Sequence, residues 1–141
     1  MKMLTDAPID IIHWDYPDKA MPRDKLLEQV KGCDACLCML TEKINAEFFD
    51  AAGPQLKTVA TMSVGYDHID IHECKKRGIF TGHTPGVLHH TVAELTVALL
   101  LATTRRLSPA IDSVRNNGWG TWEPLGYCGT DIWGKTLGIC G

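Results

Sequence analysis

The feature that most constrains this chain is a repeated alternation of short β-branched or apolar runs with amphipathic stretches of helical spacing. Residues 9–14 (IDIIHW) have the composition of a strand and run into a polar turn through Pro17 and Pro22. Residues 23–31 then place Leu26, Leu27 and Val30 at helical spacing, and Gly32 supplies the residue that closes helices in the left-handed conformation. Residues 35–40 (ACLCML) are almost continuously apolar, which predicts a strand covered on both faces. The unit repeats: a helix is expected over 41–52, stopped by Gly53, and a strand over 56–62 (LKTVATM). Asp70-x-x-Glu73 has the form of a capping box; the helix behind it closes on Lys75, Lys76, Arg77 and Gly78, cations at the negative end and glycine just past it. A short strand over 79–82 follows. Strands separated by helices pair in parallel, because parallel neighbours need a crossover, so the expected class is α/β with a mostly parallel sheet.

From Thr91 the pattern changes. Thr91-x-x-Glu94 reads as a second capping box, and the helix behind it (VAELTVALLLATTRR) is apolar on nearly every side until Arg105 and Arg106. Such a helix has to be buried on more than one face, at a domain or subunit junction. Ser108 and Pro109 then look like the N-cap and first residue of a further helix closed by Asn116, Asn117 and Gly118. A glycine-rich stretch follows with Trp119, Trp122 and Trp133, too aromatic for a disordered segment and more like an arm packed on a surface. Residues 135–140 (KTLGIC) have the look of one more buried strand, next to Gly141.

Composition excludes several function classes. At 141 residues, 45% hydrophobic, the chain can bury one core. Its net charge of −3, from 14 Lys+Arg against 17 Asp+Glu, gives no electrostatic footprint for nucleic acid or an anionic membrane. No apolar run approaches the roughly 18 residues of a membrane span. The opening MKMLTDAPID has no signal-peptide core, so a soluble, cytoplasmic protein is expected. Six cysteines, at 33, 36, 38, 74, 128 and 140, then read as reduced thiols. Cys33-x-x-Cys36 lacks the matching second pair of a zinc site, and Cys36 and Cys38 fit one face of a strand instead, so no metal is assigned.

The local motif of most interest is Thr61-Met62-Ser63-Val64-Gly65-Tyr66-Asp67-His68, where a strand gives way to a turn. Ligands in parallel α/β sheets collect beyond the carboxyl ends of the strands, and glycine lets an anion approach backbone N–H groups. Val64 and Gly65 are therefore candidates to hold a small carboxylate through main-chain hydrogen bonds; the alternative is that Gly65 only makes the turn. His68 and His72 share the four-residue spacing of metal ligands but have no H-E-x-x-H arrangement, and read as capping or surface residues. His89 and His90 precede a helix and could face a cofactor or solvent. Asp70 is accounted for as a cap, and no general base, nucleophile elbow or P-loop stands out.

Several motifs together carry a resemblance. SVGYDHID at 63–70, KKRGI at 75–79, TPGVL at 84–88 and TVAEL at 91–95 match in order and spacing the N-terminal half of the D-isomer-specific 2-hydroxyacid dehydrogenases. Arg105-Arg106-Leu107, Asn117-Gly118-Trp119, Trp122 and GKTLGICG at 134–141 extend the resemblance toward the glyoxylate reductase/hydroxypyruvate reductase branch. It implies a flavodoxin-like substrate-binding domain over 1–83 lacking its first strand, a connector and dimer helix over 84–107, a dimer arm over 108–134 and the first strand of a Rossmann domain over 135–141. In the order 2-1-3-4-5 the missing strand lies between 9–14 and 35–40, so 9–14 is expected either to slide into the vacant slot or to stay loosely held.

What the resemblance implies for function is an NAD(P)H-dependent reduction of 2-keto acids (glyoxylate, hydroxypyruvate) to D-2-hydroxy acids, by a homodimer. Val64 and Gly65 would bind the substrate carboxylate, Trp122 would either reach the partner's active site and screen substrate size or serve only as packing, and Thr91 and Gly141 would lie at the cofactor. Gly141 falls at the first glycine of G-x-G-x-x-G. The family's ribose-binding acid and its later Arg, Glu and His have no counterpart among these residues, so no catalytic residue is assigned and the isolated chain is expected to be inactive. A second reading is a non-enzymatic module that keeps the carboxylate turn and the arm and pairs with a full-length subunit.

Overall fold

The computed structural model describes residues 7–16 and 18–140, which fall into two units divided between Val87 and Leu88. In the first unit the elements run α1 (Arg23–Gln29), β1 (Ala35–Cys38), α2 (Ala46–Ala52), β2 (Thr58–Thr61), α3 (Ile71–Arg77) and β3 (Phe80–Gly82). The sheet has the order β1-β2-β3, parallel throughout, with Cys36 opposite Val59 and Val59 opposite Thr81.

The local chemistry explains the helix ends. Asn45 caps α2 by accepting the Phe48 N–H at 3.3 Å, so α2 begins later than the apolar pattern suggested. Asp70 accepts the Glu73 N–H at 3.0 Å at the start of α3. Only half of that capping box forms: the Asp70 N–H goes to Ile44 O, and the Glu73 carboxylate turns to Arg77 and Lys76, with Arg77 first among the groups holding it below its ordinary carboxylate range. Gly78 closes α3 at φ 69°, a backbone conformation that a β-carbon disfavours. Arg77 also reaches Asp50 at 2.7 Å and lies 5.5 Å from the Phe49 ring centre, which ties α3 to α2.

The core lies on one face of the sheet. Phe48, Phe49 and Ala52 of α2, Cys74 of α3, Val59, Cys38, Ile44, Leu56 and Ile69 are buried there, with Leu26 and Leu27 of α1 packed against them. The coverage expected on both faces of residues 35–40 is not found: Leu37 is 59% and Phe80 79% exposed. The reason is topological. β1, β2 and β3 are laid down in one direction, and right-handed crossovers running one way put α2 and α3 on the same side.

Of the two outcomes expected for residues 9–14, insertion into the vacant slot of the sheet is not seen. These residues form no strand, and Ile9, Ile11 and Ile12 are exposed; the segment is held at its end by Trp14, whose Nε1–H donates to Lys19 O at 2.8 Å and whose ring lies 4.8 Å from Tyr16. Pro17 lies outside the described residues.

The second unit holds α4 (His89–Thr104) and α5 (Leu107–Arg115), followed by irregular chain to 140. α4 starts at His89 behind the Gly86 turn, so Thr91 sits inside its first turn and the second capping box does not form. Among the described residues none of its side chains is buried, so they do not supply the burial its composition calls for. α5 starts at Leu107, with Arg106 in the left-handed region as its N-cap in place of Ser108; Pro109 still falls in the first turn, where its missing N–H costs nothing. Beyond it, Trp119 stacks on Tyr127 at 5.3 Å and the Thr130 N–H donates to Thr104 O at 2.8 Å. The strand expected over 135–140 is not paired, and Leu137 and Ile139 are exposed: among the described residues this unit has no other strand to receive it.

All six cysteines are unpaired. Burial pushes the Cys36 thiol up to about 12 and raises those of Cys38 and Cys74. Because the thiolate is the reactive form, brief iodoacetamide treatment of the native chain at pH 8 is expected to modify exposed Cys128 and Cys140 and to spare Cys36, Cys38 and Cys74 until denaturant is added. Peptide mass mapping reads the result; Cys36 alkylating as fast as Cys128 would contradict this packing.

Candidate functional site

The loop that leaves β2, residues 62–68, sits at the carboxyl ends of all three strands. It is tied to each neighbour. The Met62 N–H donates to Cys38 O at the end of β1 (3.2 Å), and the Thr84 N–H, just past β3, donates to Ser63 O (2.9 Å). Its far end is fixed by reciprocal bonds between Ile44 and the His68–Asp70 backbone, both 2.8 Å.

Beneath the loop runs a buried polar chain. His68 Nε2 lies 3.1 Å from Thr61 Oγ1, Thr61 Oγ1 lies 2.7 Å from Ser63 Oγ, and Ser63 Oγ donates to Gly65 O at 2.7 Å. Donor counting sets the direction. The only Ser63 hydroxyl proton goes to Gly65, so Ser63 accepts from Thr61, and Thr61 in turn accepts from His68, which carries its proton on Nε2. Nδ1 of His68 is buried with no partner among the described residues. On the outer side, His83 Nδ1 is 2.9 Å from Val64 O, and the His83 ring meets Tyr66 edge-on at 5.1 Å.

The consequence is an asymmetry in the backbone. The carbonyls of Ser63, Val64 and Gly65 are all occupied, by Thr84 N–H, His83 and Ser63 Oγ. The N–H groups of Val64, Gly65 and Tyr66 have no acceptor among the described residues, and all three residues are exposed. Successive free donors of this kind favour an anion. Gly65 is not in the left-handed region, and a β-carbon there would meet only Asp67 Oδ2 at 3.8 Å. The turn therefore does not need a glycine for its conformation, and a β-carbon at this position would make only an ordinary contact.

The 2-hydroxyacid dehydrogenase pattern extends well beyond this loop: residues 1–131 match the family described as D-isomer specific 2-hydroxyacid dehydrogenase, catalytic domain. The chain belongs to that family. It is 46% identical over 135 residues to the human glyoxylate reductase/hydroxypyruvate reductase, covering 96% of this chain and 41% of that protein. Among solved structures it resembles the TT0316 protein of Thermus thermophilus, with a TM-score of 0.76 and 38% identity over 81% of this chain and 36% of that one. It also resembles the D-lactate dehydrogenase of Aquifex aeolicus complexed with NAD and lactic acid, with a TM-score of 0.62 and 32% identity over 69% of this chain and 29% of that one. The chain thus spans well under half the length of these proteins.

Of the residues singled out from sequence, Val64 and Gly65 lie together on the loop. Thr91 lies on α4 and Trp122, 83% exposed, on the irregular segment; both belong to the second unit. Gly141 lies outside the described residues. His68 is neither a cap nor a surface group: it turns inward to Thr61, and His72 is exposed on α3. His89 and His90 are exposed in the first turn of α4, with ring centres 4.1 Å apart. Among the described residues no three His, Cys, Asp or Glu side chains converge as a metal site, and no helix is long and apolar enough to cross a membrane. Sequence reading missed Thr61, Ser63 and His83. Polar Thr61 and Ser63 at alternate positions on the inward side of a strand end are a readable signal for a buried network; nothing local pairs His83 with Val64.

Proposed function

We propose that this chain is the substrate-binding part of an NAD(P)H-dependent oxidoreductase that reduces small 2-keto acids, of the glyoxylate and hydroxypyruvate kind, to D-2-hydroxy acids. Val64 and Gly65 hold the carboxylate. The observation that carries this reading is the run of free N–H groups at 64–66, whose own carbonyls are turned away and tied. The family and the similarity to the human reductase supply the reaction type.

The loop's chemistry is confined to binding: it offers neutral donors to a carboxylate and leaves the keto carbon to groups elsewhere. A nicotinamide dinucleotide supplies the hydride in such a reaction. Among the described residues, 135–140 pair with no strand. Trp122 and the apolar surface of α4 suit contact with a second subunit, with Trp122 reaching that subunit's substrate cleft, and six unpaired thiols suit the reducing cytoplasm.

In an isotope-labelled sample of the chain, glyoxylate is expected to shift the Val64, Gly65 and Tyr66 amide resonances saturably, whereas acetaldehyde, which lacks the carboxylate, leaves them in place. The same sample is expected to oxidise no NADPH with hydroxypyruvate. A loop indifferent to glyoxylate would remove the binding reading; measurable NADPH oxidation would show that chemistry had been overlooked in these residues.

A further inference from the structure

We propose that His83 is a positioning residue for the carboxylate loop, setting the direction of the Gly65 N–H; this rests on the reading of that loop as the carboxylate site. A trans peptide is planar, and its N–H points opposite to its C=O. Whatever grips a carbonyl therefore aims the amide of the next residue. In this loop Thr84 N–H grips Ser63 O and so aims the Val64 N–H, Ser63 Oγ grips Gly65 O and so aims the Tyr66 N–H, and His83 grips Val64 O and so aims the Gly65 N–H.

The three grips differ in kind. One is main chain continuing the β3 side of the sheet, and one is the end of a buried chain of hydroxyls. The third is an exposed side chain, held against the carbonyl at 2.9 Å with the Tyr66 ring edge-on beside it at 5.1 Å. His83 directly follows Gly82, the last residue of β3, so the sheet fixes where its ring starts. Gly65 has no side chain to resist rotation of its peptide, and its amide is the middle of the three donors. It gains most from an external hold. Because Val64 O can only accept, His83 carries its proton on Nδ1 in this arrangement.

Two variants separate the hydrogen bond from the bulk of the ring. His83→Leu fills comparable space without a donor, whereas His83→Asn restores one, since the asparagine Nδ2 is attached to Cγ just as the histidine Nδ1 is. In the 141-residue chain, residual dipolar couplings report the direction of the Gly65 N–H, and amide titration with glyoxylate reports affinity. His83→Leu is expected to change the Gly65 coupling and to weaken glyoxylate binding about five- to tenfold, the scale of one hydrogen bond, while His83→Asn keeps the wild-type coupling and binds within about twofold. Normal wild-type binding with both readouts unchanged in His83→Leu overturns the role of His83 alone. No glyoxylate response in the wild-type chain overturns the carboxylate site itself, and the proposal with it.

Discussion

Phe48→Ala is expected to cost the first unit about 3–5 kcal/mol, the usual range for deleting a fully buried aromatic ring. Phe48 is completely buried in α2, edge-on to Phe49 at 5.7 Å, in the cluster that includes Ile44 and Val59, both also fully buried. The site depends on the same cluster. Ile44 holds the His68–Asp70 backbone, and Val59 stands on the strand that delivers the loop, so a cavity beside them loosens the loop's far anchor as well as the core. A single domain is typically stable by only about 5–15 kcal/mol, and among the described residues this unit has helices on only one face of its sheet, so the variant should be close to unfolding. Urea titration followed by far-UV circular dichroism gives the answer: with a slope of about 1 kcal/mol per molar, the midpoint should fall by roughly 3 M or the native baseline should vanish. A loss below about 1 kcal/mol would mean that the ring is not the keystone its burial indicates.

The first unit was readable from sequence because its signals are local. Hydrophobic spacing located α1, α2 and α3, Asp70 and Gly78 marked the ends of α3, and alternating strands and helices required a parallel sheet. Three features were not local. Residues 35–40 look apolar enough for two covered faces, but the composition of a strand cannot say on which side the crossovers fall. Residues 9–14 have strand composition yet form no strand, because pairing requires a neighbour at the right edge and composition does not supply one. α4 is apolar all round, which points to a cover for it; among the described residues none of its side chains is buried.

The site divides in the same way. Val64 and Gly65 could be picked out because a glycine after a parallel strand has a general meaning. The groups that make the loop a donor array, Thr84 and His83, come from the far side of β3, and no spacing rule links them to residue 64. His68 is a related case: its four-residue distance from His72 is a metal-ligand spacing, and without an H-E-x-x-H arrangement it reads as a capping or surface residue, whereas the loop before α3 turns its ring inward to Thr61. Direction of hydrogen bonding, which makes the chain from His68 to Gly65 a one-way relay, has no sequence signature at all.

Gly65→Ala is expected to separate function from stability. Gly65 lies outside the left-handed region, and an added β-carbon would meet nothing closer than Asp67 Oδ2 at 3.8 Å, so the folded loop accepts alanine. Stability should stay within about 1 kcal/mol of wild type and can rise, since alanine restricts the unfolded chain. On the proposed reading of the loop as the carboxylate site, the methyl group crowds the approach of a carboxylate to the Gly65 and Tyr66 amides. Losing one hydrogen bond to a charged group costs about 1.5–3 kcal/mol, so glyoxylate affinity should fall about 10- to 100-fold. Gly78→Ala makes the converse control. At φ 69° and with nothing within 4 Å, its penalty is conformational, about 1–2 kcal/mol of stability with glyoxylate affinity unchanged once the sample is folded. If Gly65→Ala binds glyoxylate as well as wild type does, the carboxylate does not sit before these amides. If it unfolds instead, the loop needs its glycine for the backbone, contrary to the geometry; only stable protein with lost affinity leaves the glycine with one purpose, to let an anion reach the main chain.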